Sequence, residues 1–564
     1  MKKGVYVLGL TYFGMHDSCA VLLKDGKVIA AAEEERFSRI KFDRSFPKQS
    51  IKWCLKKANI SIKDVAYAGY FWQPWKGLLN RAYYYFQTFP IFLKDTQRPA
   101  ALLDQFKAKY VLKKETGFNG KFFYLNHHIT HAASVFYASG FKKSAILSLD
   151  GTGEKTSCWL GFGENGKIIP YKTINWPHSI GQLYRTVTQY LGFNIFSDEY
   201  KVMGLAPYGK TKYLDKFKKI AKLKPSGKFE INLSYIEYQH GKEIMYSDQW
   251  VKAFGPARKK GEPIEERHKN IAASAQARTE ESIEHLAKYL LKTGDYDSLC
   301  LTGGVALNSV AIGKLARSGL TKKIYTSPVS GDAGCAFGAA YYIYHHILGN
   351  LNLEPLPHAY WGRNFTNEEI KKIIIKNKLP YTKHKNPQET AAQLIASGHV
   401  IGWFQGHSEV GQRALGNRSI LADPRDPKMK DKVNRLIKYR EPFRPFAPAI
   451  LEEFQNDFFD YANPVPYMTE VHPVKKDKRS KIPSVVHIDG SGRIQTVIKK
   501  TNPKFWNLIN TFNKITGIPV VLNTSFNVQG EPIVDSPKDA IKTFLGSGLD
   551  DIFLGNYWIQ KKLL

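Results

Sequence analysis

One feature constrains the fold more than any other: a unit of apolar strand, polar loop and hairpin occurs twice in the first half of the chain. The first copy runs through VYVLGL, CAVLL and VIAAA, and Asp25-Gly26 joins the last two segments. Both central positions of a tight hairpin turn favour positive φ, so Asp-Gly between apolar runs is a strong hairpin signal. The second copy runs through SAILSLDGTGE, SCWLGFG and KIIPYKTI. We therefore expect two similar β-rich halves, with Asp17 and Asp150 in corresponding loops.

Further along, the segments LTGGVALNSVAIGKL and KIYTSPVSGDAGCAFGAA each predict a strand, a glycine-rich turn and a helix. Glycines at such turns let backbone N–H groups approach a phosphate or adenosine. Together with the duplicated unit, they predict an actin-like nucleotide-binding fold of the ASKHA type, in which two ribonuclease-H-like halves face each other across a cleft. Pro355, Pro357 and a change of composition indicate a boundary near residue 360. We expect an α/β protein with an actin-like domain over 1–360 and a mixed α/β domain over 361–564.

Composition agrees with a large globular protein. A chain of 564 residues exceeds what one core usually organises. The cysteines are scattered without a CxxC pair, so we expect neither a disulfide framework nor a cysteine zinc site. No run approaches the roughly 18 apolar residues of a spanning helix, and the N-terminus lacks the apolar region of a signal peptide. We expect a cytoplasmic protein without a membrane span.

The formal net charge of +32 raises the question of a nucleic-acid partner. A strongly basic surface gains affinity for a polyanion through counterion release. However, the lysines recur in helix-like patterns such as KFKKIAKLK, and no RNP, KH or helix-turn-helix signature accompanies them. We expect solvated lysine faces and attraction of phosphates, nucleotides or anionic acceptors, and no nucleic-acid partner.

A candidate metal centre combines two histidines with two aspartates. His127 and His131 are spaced i, i+4 on a predicted helix, so both rings project from one face. Asp150 and Asp332 follow predicted strands whose ends meet at the cleft of an actin-like fold. Such a set suits Fe(II), Mn(II) or Zn(II) with positions open for substrate. The alternative is that the histidines, His128 among them, serve the helix surface or the core, and that the aspartates are turn residues.

A candidate nucleotide site lies in the C-terminal third, in a stretch rich in arginine, glycine and proline. Its cations are Arg413, Arg418, Arg425, Arg435, Lys438, Arg440 and Arg444. Guanidinium groups bind phosphate in a bidentate manner and keep their charge, so the cluster suits a polyphosphate. Alternatively, some of these cations pair with aspartates at 423, 426 or 431. Further partners for phosphate, ribose or base, or else ordinary turn residues, are Arg493, Asn523, Thr524, Ser525 and Asn527.

A series of motifs in fixed order gives this pattern a family. The motifs are GLTYFGMHDSCAVL, AAEEERFSRIK, HHITHAASVFYASGF, LDGTGE, DEYKVMGLAPYG, LTGGVALN, SGDAGCAFGAA, GQRALGNRSILADPR, KYREPFRPFAP and LNTSFNVQGEPIV. They resemble the NodU/CmcH family of O-carbamoyltransferases over nearly the whole chain. The resemblance implies an N-terminal domain similar to the actin-like subunit of the threonylcarbamoyladenosine tRNA-modification machinery, with an iron-type site. It also implies a C-terminal domain that looks like a YrdC-type domain.

The same resemblance implies a two-step reaction. Carbamoyl phosphate is cleaved, and its carbamoyl group is joined to ATP, with Mg²⁺, as carbamoyl adenylate. The intermediate then passes to the actin-like domain. There, a hydroxyl of a small molecule or saccharide takes the carbamoyl group, in natural-product (antibiotic) biosynthesis or in glycan modification.

Site residues follow from the matching motifs. The implied metal ligands are His127, His131, Asp150 and Asp332. The implied adenylate-forming residues are Arg413, Lys438, Arg444, Arg493 and Ser525, with Arg418, Asn523 and Asn527 as second choices. His16, held by Asp17, is a candidate general base for the acceptor hydroxyl; alternatively both residues cap their loop.

Two other functions stay open at this stage. A threonylcarbamoyl-type enzyme acting on tRNA would use the same domains, and its binding to tRNA would weaken steeply with salt. A catalytically idle binding module of the actin-like superfamily is the other, although the metal and Arg/Lys residues are all present. The aromatic segment from Phe71 to Arg98 matches no motif, and its rings could line an acceptor site or pack in the core. A homodimer is left open as the assembly.

Overall fold

The computed structural model describes residues 4–14, 16–87 and 103–564. It divides into two compact units. The first comprises Met1–Ile29 and Arg44–Leu356, and the second comprises Ala30–Asp43 and Pro357–Leu564. The second unit therefore begins close to the prolines noted in the sequence. It also takes in residues 30–43, a segment that no sequence pattern assigned to it.

The first sheet of the first unit begins with the predicted hairpin. Its strands are β1 (Tyr6–Thr11), β2 (Cys19–Lys24), β3 (Lys27–Glu33), β4 (Val65–Tyr70) and β5 (Lys121–Tyr124). They lie in the order β3-β2-β1-β4-β5. Strand β1 is antiparallel to β2 and parallel to β4, and β4 is parallel to β5. As predicted, Asp25 and Gly26 both have positive φ, 50° and 82°.

The second sheet repeats this arrangement. The next strands are β6 (Lys143–Leu149), β7 (Thr156–Glu164), β8 (Lys167–Asn175), β9 (Ala221–Lys224), β10 (Lys228–Ile231), β11 (Ser298–Thr302) and β12 (Lys323–Thr326). The sheet order is β12-β11-β6-β7-β8, and β9 pairs separately with β10. Strand β6 is antiparallel to β7 and parallel to β11, which is parallel to β12. Two sheets with the same order and directions are the duplicated ribonuclease-H-like halves of an actin-like fold, which confirms the predicted fold class.

Helices of the first unit connect and cover these sheets. Their bounds are Lys48–Ala58, Leu78–Gln87, Ala108–Thr116, His127–Ser139, Ile180–Tyr190, Glu199–Leu205, Leu214–Ile220, Asp248–Phe254, Glu266–Gly294, Ser309–Arg317 and Gly334–Tyr341, the last continued by a π-helical turn over Tyr342–Ile347. Two of these helices each pack on the sheet of the other half. The helix after β5, His127–Ser139, packs on β6 and β11, whereas the helix after β12, Gly334–Tyr341, packs on β1, β2 and β4. This exchange brings residues of the first half to the strand ends of the second.

A glycine allows these two helices to pack closely. A Cβ atom on Gly338 would lie 1.7 Å from the carbonyl oxygen of Thr130. Only a residue without a side chain permits such an approach.

The second unit is built on a mixed sheet. Its strands are β13 (Thr382–Lys383), β14 (Ile401–Phe404), β15 (Arg418–Ala422), β16 (Ala447–Leu451), β17 (Val471–Pro473), β18 (Ser491–Arg493), β19 (Gln495–Val497), β20 (Val520–Ser525), β21 (Asp551–Leu554) and β22 (Tyr557–Gln560). The main sheet has the order β13-β22-β21-β14-β15-β20-β16-β19, and β17 pairs with β18. Trp403 on β14 is fully buried in the core. The observed sheet is the mixed α/β domain that was predicted, while its YrdC-like character stays a prediction.

Helices of the second unit flank this sheet. Their bounds are Glu35–Ser38, Asn367–Lys376, Pro387–Ala396, Met429–Val433, Gln455–Phe458, Pro503–Thr516 and Pro537–Leu545, with a π-helical turn over Asn434–Lys438. The predicted helix from about Pro537 to Leu545 has those bounds in the structure.

Several other expectations concern the first unit. In the aromatic segment, Phe71 and Trp72 are buried and Leu78–Gln87 is helical, while residues 88–98 lie outside the described residues. All five cysteines are buried, and none forms a disulfide bond within the described residues. Within the described ranges, no helix has the length and apolar character needed to cross a membrane.

Candidate metal centre and anion site

The structure brings the four predicted metal ligands together in the first unit. His127 and His131 lie one turn apart on the helix His127–Ser139, and Asp150 follows the end of β6. Asp332 lies in the loop between β12 and the helix Gly334–Tyr341. The i, i+4 spacing places both imidazoles on one face of their helix. Because this helix packs on the second sheet, that face meets the carboxylates at the ends of β6 and β12.

The donor atoms converge on one point. Nε2 of His127 lies 2.8 Å from Oδ2 of Asp150 and 3.8 Å from Oδ1 of Asp332. Nε2 of His131 lies 3.5 Å from each of the same two oxygens. Two donors that each bind one ion at about 2.1 Å are roughly 3 Å apart, so these separations fit a single first-row divalent cation.

A buried orphan atom supports the same interpretation. Nε2 of His131 is fully buried and has no hydrogen-bond partner among the described residues. A buried polar atom without a partner is costly unless something else satisfies it. Two imidazoles and two carboxylates fit Fe(II), Mn(II) or Zn(II), and the convergence of their donors is what such an ion requires.

The opposite edges of the two rings contact residues that sequence reasoning did not assign to the site. Nδ1 of His131 lies 3.4 Å from the hydroxyl oxygen of Thr302 at the end of β11. Sγ of Cys335 lies 4.0 Å from Nδ1 of His127, and Cys335 forms a second group of potential metal donors with the two histidines. The only sequence signal was its position three residues after Asp332 in SGDAGC.

His128 takes the structural role that was an alternative for this segment. Its two ring nitrogens lie 2.8 Å from the hydroxyl oxygen of Ser148 and 2.8 Å from the carbonyl oxygen of Thr156. Burial, and then the charges of its two histidine neighbours, lower its pKa to about 3. His128 is therefore a neutral residue of the core.

His16 lies in the loop between β1 and β2, near the metal ligands. Its Nδ1 is 2.8 Å from Oδ2 of Asp17. Burial by itself lowers the pKa of His16, but the charges of Asp17 and Asp332 outweigh it and raise that pKa to about 9. The influence of Asp332 indicates that the ring lies close to one of the candidate metal ligands. Arg185, whose guanidinium stacks 3.8 Å from the ring centre of Phe196, opposes this rise and is a further cation that sequence reasoning missed.

In the second unit, Lys438 is the centre of the basic cluster. It ends the π-helical turn Asn434–Lys438 and is 4% exposed. Its ammonium group donates to the carbonyl oxygens of Ser525 and Asn527, at 3.0 Å in the latter case, and to Oδ1 of Asn527 at 2.8 Å. Thus Lys438 meets two other predicted residues, Ser525 and Asn527, at the end of β20, although 87 residues separate it from Ser525.

Like charges surround this lysine. Burial, followed by the charges of Arg440, Arg444 and Lys41, holds the pKa of Lys438 well below its ordinary value. Burial and then Arg413, Arg440 and Arg444 lower the pKa of Arg493 in the same way. Cations that lower each other's pKa values lie close enough for their charges to interact, so this cluster is a candidate anion-binding site.

Two members of this cluster were not given a role from the sequence. Arg440 was noted only as one cation of its segment, and Lys41 lies in the AAEEERFSRIK motif, far from the other cations in sequence. Lys41 reaches the second unit because the segment 30–43 belongs to it.

Arg418 and Asn523 are placed differently. The Arg418 guanidinium is fully buried and donates to the carbonyl oxygens of Gln405 at 2.6 Å and Arg363 at 2.9 Å. Asn523 donates to Gln495 Oε1 at 2.7 Å and to the carbonyl oxygen of Ala414 at 3.2 Å. Both side chains therefore hold the loops on which the cluster is built, and a direct contact with nucleotide stays a prediction for them.

One of the surface ion pairs proposed as an alternative is present. Arg425 donates to Asp423, with Nη2 2.6 Å and Nε 3.0 Å from the carboxylate oxygens. Its charge is therefore offset locally, and Arg425 is not among the cations that perturb Lys438 or Arg493.

Fold and sites together define a two-unit α/β protein, with a candidate metal centre in an actin-like unit and a cation cluster in a mixed α/β unit. Comparison with protein families narrows this class. The model for the carbamoyltransferase N-terminus matches residues 6–341, and that for the carbamoyltransferase C-terminus matches residues 392–561. The chain belongs to the carbamoyltransferase family.

Similar proteins agree with this assignment. The chain is 38% identical to the nodulation protein NolNO of Sinorhizobium fredii, over 97% of this chain and 79% of that protein. It is 40% identical to the nodulation protein NolO of Bradyrhizobium diazoefficiens, over 78% of this chain and 79% of that protein. An uncharacterised protein of Synechocystis is 39% identical over 99% of this chain and 97% of its own length.

Solved structures match less well. Component A of (R)-2-hydroxyglutaryl-CoA dehydratase from Acidaminococcus fermentans is 14% identical, with a TM-score of 0.33 over 61% of this chain and 99% of that one. HypF of T. kodakarensis is 13% identical, with a TM-score of 0.32 over 62% of this chain and 48% of that one. The sheet topology, rather than these matches, carries the fold assignment.

Proposed function

We propose that this carbamoyltransferase is an ATP-dependent O-carbamoyltransferase with two reaction centres. The cation cluster around Lys438 makes carbamoyl adenylate from carbamoyl phosphate and ATP. The centre at His127, His131, Asp150 and Asp332 then transfers the carbamoyl group to a hydroxyl. The observation that carries the proposal is the buried Lys438, held by Ser525 and Asn527 among cations that lower its pKa, because an anionic ligand would offset this repulsion.

In the first step, water cleaves carbamoyl phosphate to carbamate and phosphate, and a carbamate oxygen attacks the α-phosphorus of ATP. The bond to the β-phosphate breaks, and pyrophosphate leaves with the electron pair. This step brings two anions together and moves charge onto pyrophosphate, so fixed cations lower its barrier. We assign binding of the phosphates to Arg413, Arg444 and Arg493. Ser525 and Asn527 hold the ammonium group of Lys438, which supports its part in the same step. Mg²⁺ is expected to accompany ATP.

Arg418 and Asn523 support this step from behind the cluster. Asn523 fixes the carbonyl group of Ala414, the neighbour of Arg413, and Arg418 binds the loop that begins at Gln405. A cluster of mutually repelling guanidinium groups needs such rigid loops, because each group would otherwise turn away toward solvent.

In the second step, the oxygen of the acceptor hydroxyl attacks the carbamoyl carbon, and the bond to AMP breaks. We assign His16, whose Nδ1 lies 2.8 Å from Oδ2 of Asp17, as the acceptor of the hydroxyl proton. Because the charges of Asp17 and Asp332 raise the pKa of this ring to about 9, the role requires a bound cation that offsets the charge of Asp332 and lowers that pKa. His127, His131, Asp150 and Asp332 would hold a divalent metal, with Fe(II) our first choice. When bound, such a metal acts as a Lewis acid that polarises the carbonyl group.

The acceptor class is proposed from the family alone: a hydroxylated small molecule or a saccharide. We also propose a cytoplasmic location. Five buried cysteines in thiol form suit a reducing compartment, and ATP and carbamoyl phosphate are found in the cytoplasm.

Isotope exchange between ATP and pyrophosphate tests the first step. Carbamoyl phosphate should promote the exchange, and Lys438→Ala should abolish it. Lys432→Ala is the matched control, because Lys432 is a nearby cation that pairs with Asp550 at 3.2 Å, and it should exchange like the wild type. If carbamoyl phosphate does not promote exchange, adenylate formation is refuted.

A second variant separates the two centres. His131→Ala should retain exchange and lose carbamoyl transfer, which a screen of hydroxylated acceptors by mass spectrometry detects as an added carbamoyl group. Equal loss of both steps in Lys438→Ala and His131→Ala would contradict two centres.

A further inference from the structure

We propose that Glu154 is a positioning residue of the metal centre: its carboxylate sets the helix that carries His127 and His131 against the loop that carries Asp150. This inference rests on the proposed function, because it assigns Glu154 to the metal centre described there. Glu154 belongs to the LDGTGE motif, in which the sequence singled out only the aspartate.

Both carboxylate oxygens of Glu154 accept hydrogen bonds at the start of the ligand-bearing helix. The side chain is 2% exposed. Oε1 accepts the backbone N–H groups of His127 and Gln73, each at 3.0 Å. Oε2 accepts from Nδ2 of Asn126 at 2.8 Å. One buried group thus bonds to two consecutive residues of the helix start and to a separate loop.

The position of these bonds explains their effect. His127 is the first helical residue, and an N–H group in the first turn of a helix has no partner within the helix. A carboxylate there also interacts favourably with the positive end of the helix dipole. Asn126 is the N-cap, and its Oδ1 accepts from the N–H of Ile129 at 3.2 Å. Glu154 and Asn126 therefore fix the helix end as one hydrogen-bonded unit.

Because Glu154 and Asp150 lie in the same loop, the hydrogen bonds of Glu154 at the helix start also affect the distance between His127 and Asp150. Asp150 and Glu154 are four residues apart in one short loop between β6 and β7. A Cβ atom on Gly153 in that loop would lie only 3.1 Å from a carbon of the His127 ring, so the loop packs directly against the ligand. A shift of Glu154 must therefore change the 2.8 Å separation of His127 Nε2 and Asp150 Oδ2.

A purely structural cap and a metal-positioning residue predict different measurements. A structural cap affects folding alone, whereas a positioning residue also affects metal affinity in protein that remains folded. Substitution of residues that orient metal ligands typically costs about 10- to 100-fold in affinity.

The test swaps the hydrogen-bond donor and acceptor of the Glu154–Asn126 pair. The measurements are the affinity of the full chain for Co(II) and its Co(II) absorption spectrum. In Glu154→Gln, the new amide faces the Asn126 amide, donor against donor, and affinity should fall about 10- to 100-fold. In Asn126→Asp, two carboxylates face each other, and affinity should fall similarly. The double variant restores one donor and one acceptor, so affinity should return to within about threefold of the wild type. Glu164→Gln on β7 is the matched control and should bind Co(II) like the wild type, because Glu164 pairs with Lys143 at the ends of β6 and β7 that lie opposite the Asp150 loop.

Wild-type affinity in Glu154→Gln, or a double variant as weak as the single ones while still folded, would overturn the inference. His131→Ala distinguishes this failure from that of the proposed function. If His131→Ala binds Co(II) like the wild type, the proposed centre itself is wrong, and the role of Glu154 falls with it.

Discussion

The segment 30–43 should be a structural requirement of the second unit, and Arg36→Met tests this. Arg36 is 2% exposed, and its Nη2 donates to the carbonyl oxygen of Gly411 at 2.6 Å. Glu33 accepts the N–H of Gly411 at 2.6 Å, and its other oxygen lies 3.6 Å from Nε of Arg36. Glu33 and Arg36 thus bind the N–H and the carbonyl oxygen of Gly411, which lies two residues before Arg413.

The magnitude follows from what the substitution leaves behind. Without Arg36, the carboxylate of Glu33 stays buried, at 6% exposure, without its cation, and Gly411 loses a donor. Removal of one partner from a buried pair typically costs about 3–5 kcal/mol. We expect the second unit to lose about that much free energy of unfolding, and pyrophosphate exchange to fall because the Arg413 loop loosens.

The assay must resolve the two units, because a chain of this kind does not unfold in one step. Hydrogen exchange read by mass spectrometry in peptides covering 30–43 and 401–425 reports the second unit by itself. Lys432→Met is the control within the second unit: Lys432 pairs with Asp550 at 3.2 Å, but the side chains are 34% and 37% exposed. Such exposed pairs contribute at most about 1 kcal/mol.

The double variant Arg36→Met/Glu33→Gln provides the decisive comparison. It removes the unpaired buried charge, so it should be more stable than Arg36→Met alone. The reasoning is refuted if Arg36→Met costs no more than Lys432→Met, or if the second substitution adds to the loss.

Other consequences can be measured on the same protein. A chelator selective for transition metals should abolish carbamoyl transfer and leave pyrophosphate exchange intact in excess Mg²⁺; loss of both would contradict a metal centre limited to transfer. Gly338→Ala should lower the metal content and melting temperature of the first unit, because its Cβ would lie 1.7 Å from the Thr130 carbonyl oxygen, whereas Gly546→Ala, with its nearest atom at 3.3 Å, should change little. Because burial and neighbouring cations hold the pKa of Lys438 below its ordinary value, ATP phosphates should raise it. Binding at mildly alkaline pH should therefore take up a proton and weaken as pH rises, as seen in the buffer dependence of calorimetric heats, and Lys438→Met should lose this effect.

The sequence by itself determined the features that depend on neighbours along the chain. The positive φ of Asp25 and Gly26 follows from turn chemistry, and the helix Pro537–Leu545 from its proline start and its periodicity. The spacing of His127 and His131 places them on one helical face whatever surrounds the helix. Motif order was specific enough to predict the family and the four candidate metal ligands.

Only the tertiary structure decided which distant groups meet. Arg36 and Gly411, which are 375 residues apart, form a hydrogen bond. Lys41 lowers the pKa of Lys438 because residues 30–43 belong to the second unit. The different roles of Arg418, which binds backbone carbonyl oxygens, and of the mutually repelling Arg413, Lys438, Arg440 and Arg444 could not be predicted, because all five lie in one glycine-rich stretch of sequence. The physical reason is that residue type and spacing encode local conformation, whereas the partners of a buried charge depend on how separate strands and loops pack. The duplicated strand–loop–hairpin unit indicated two halves. The packing of each helix on the other half's sheet then brought the four candidate metal ligands together.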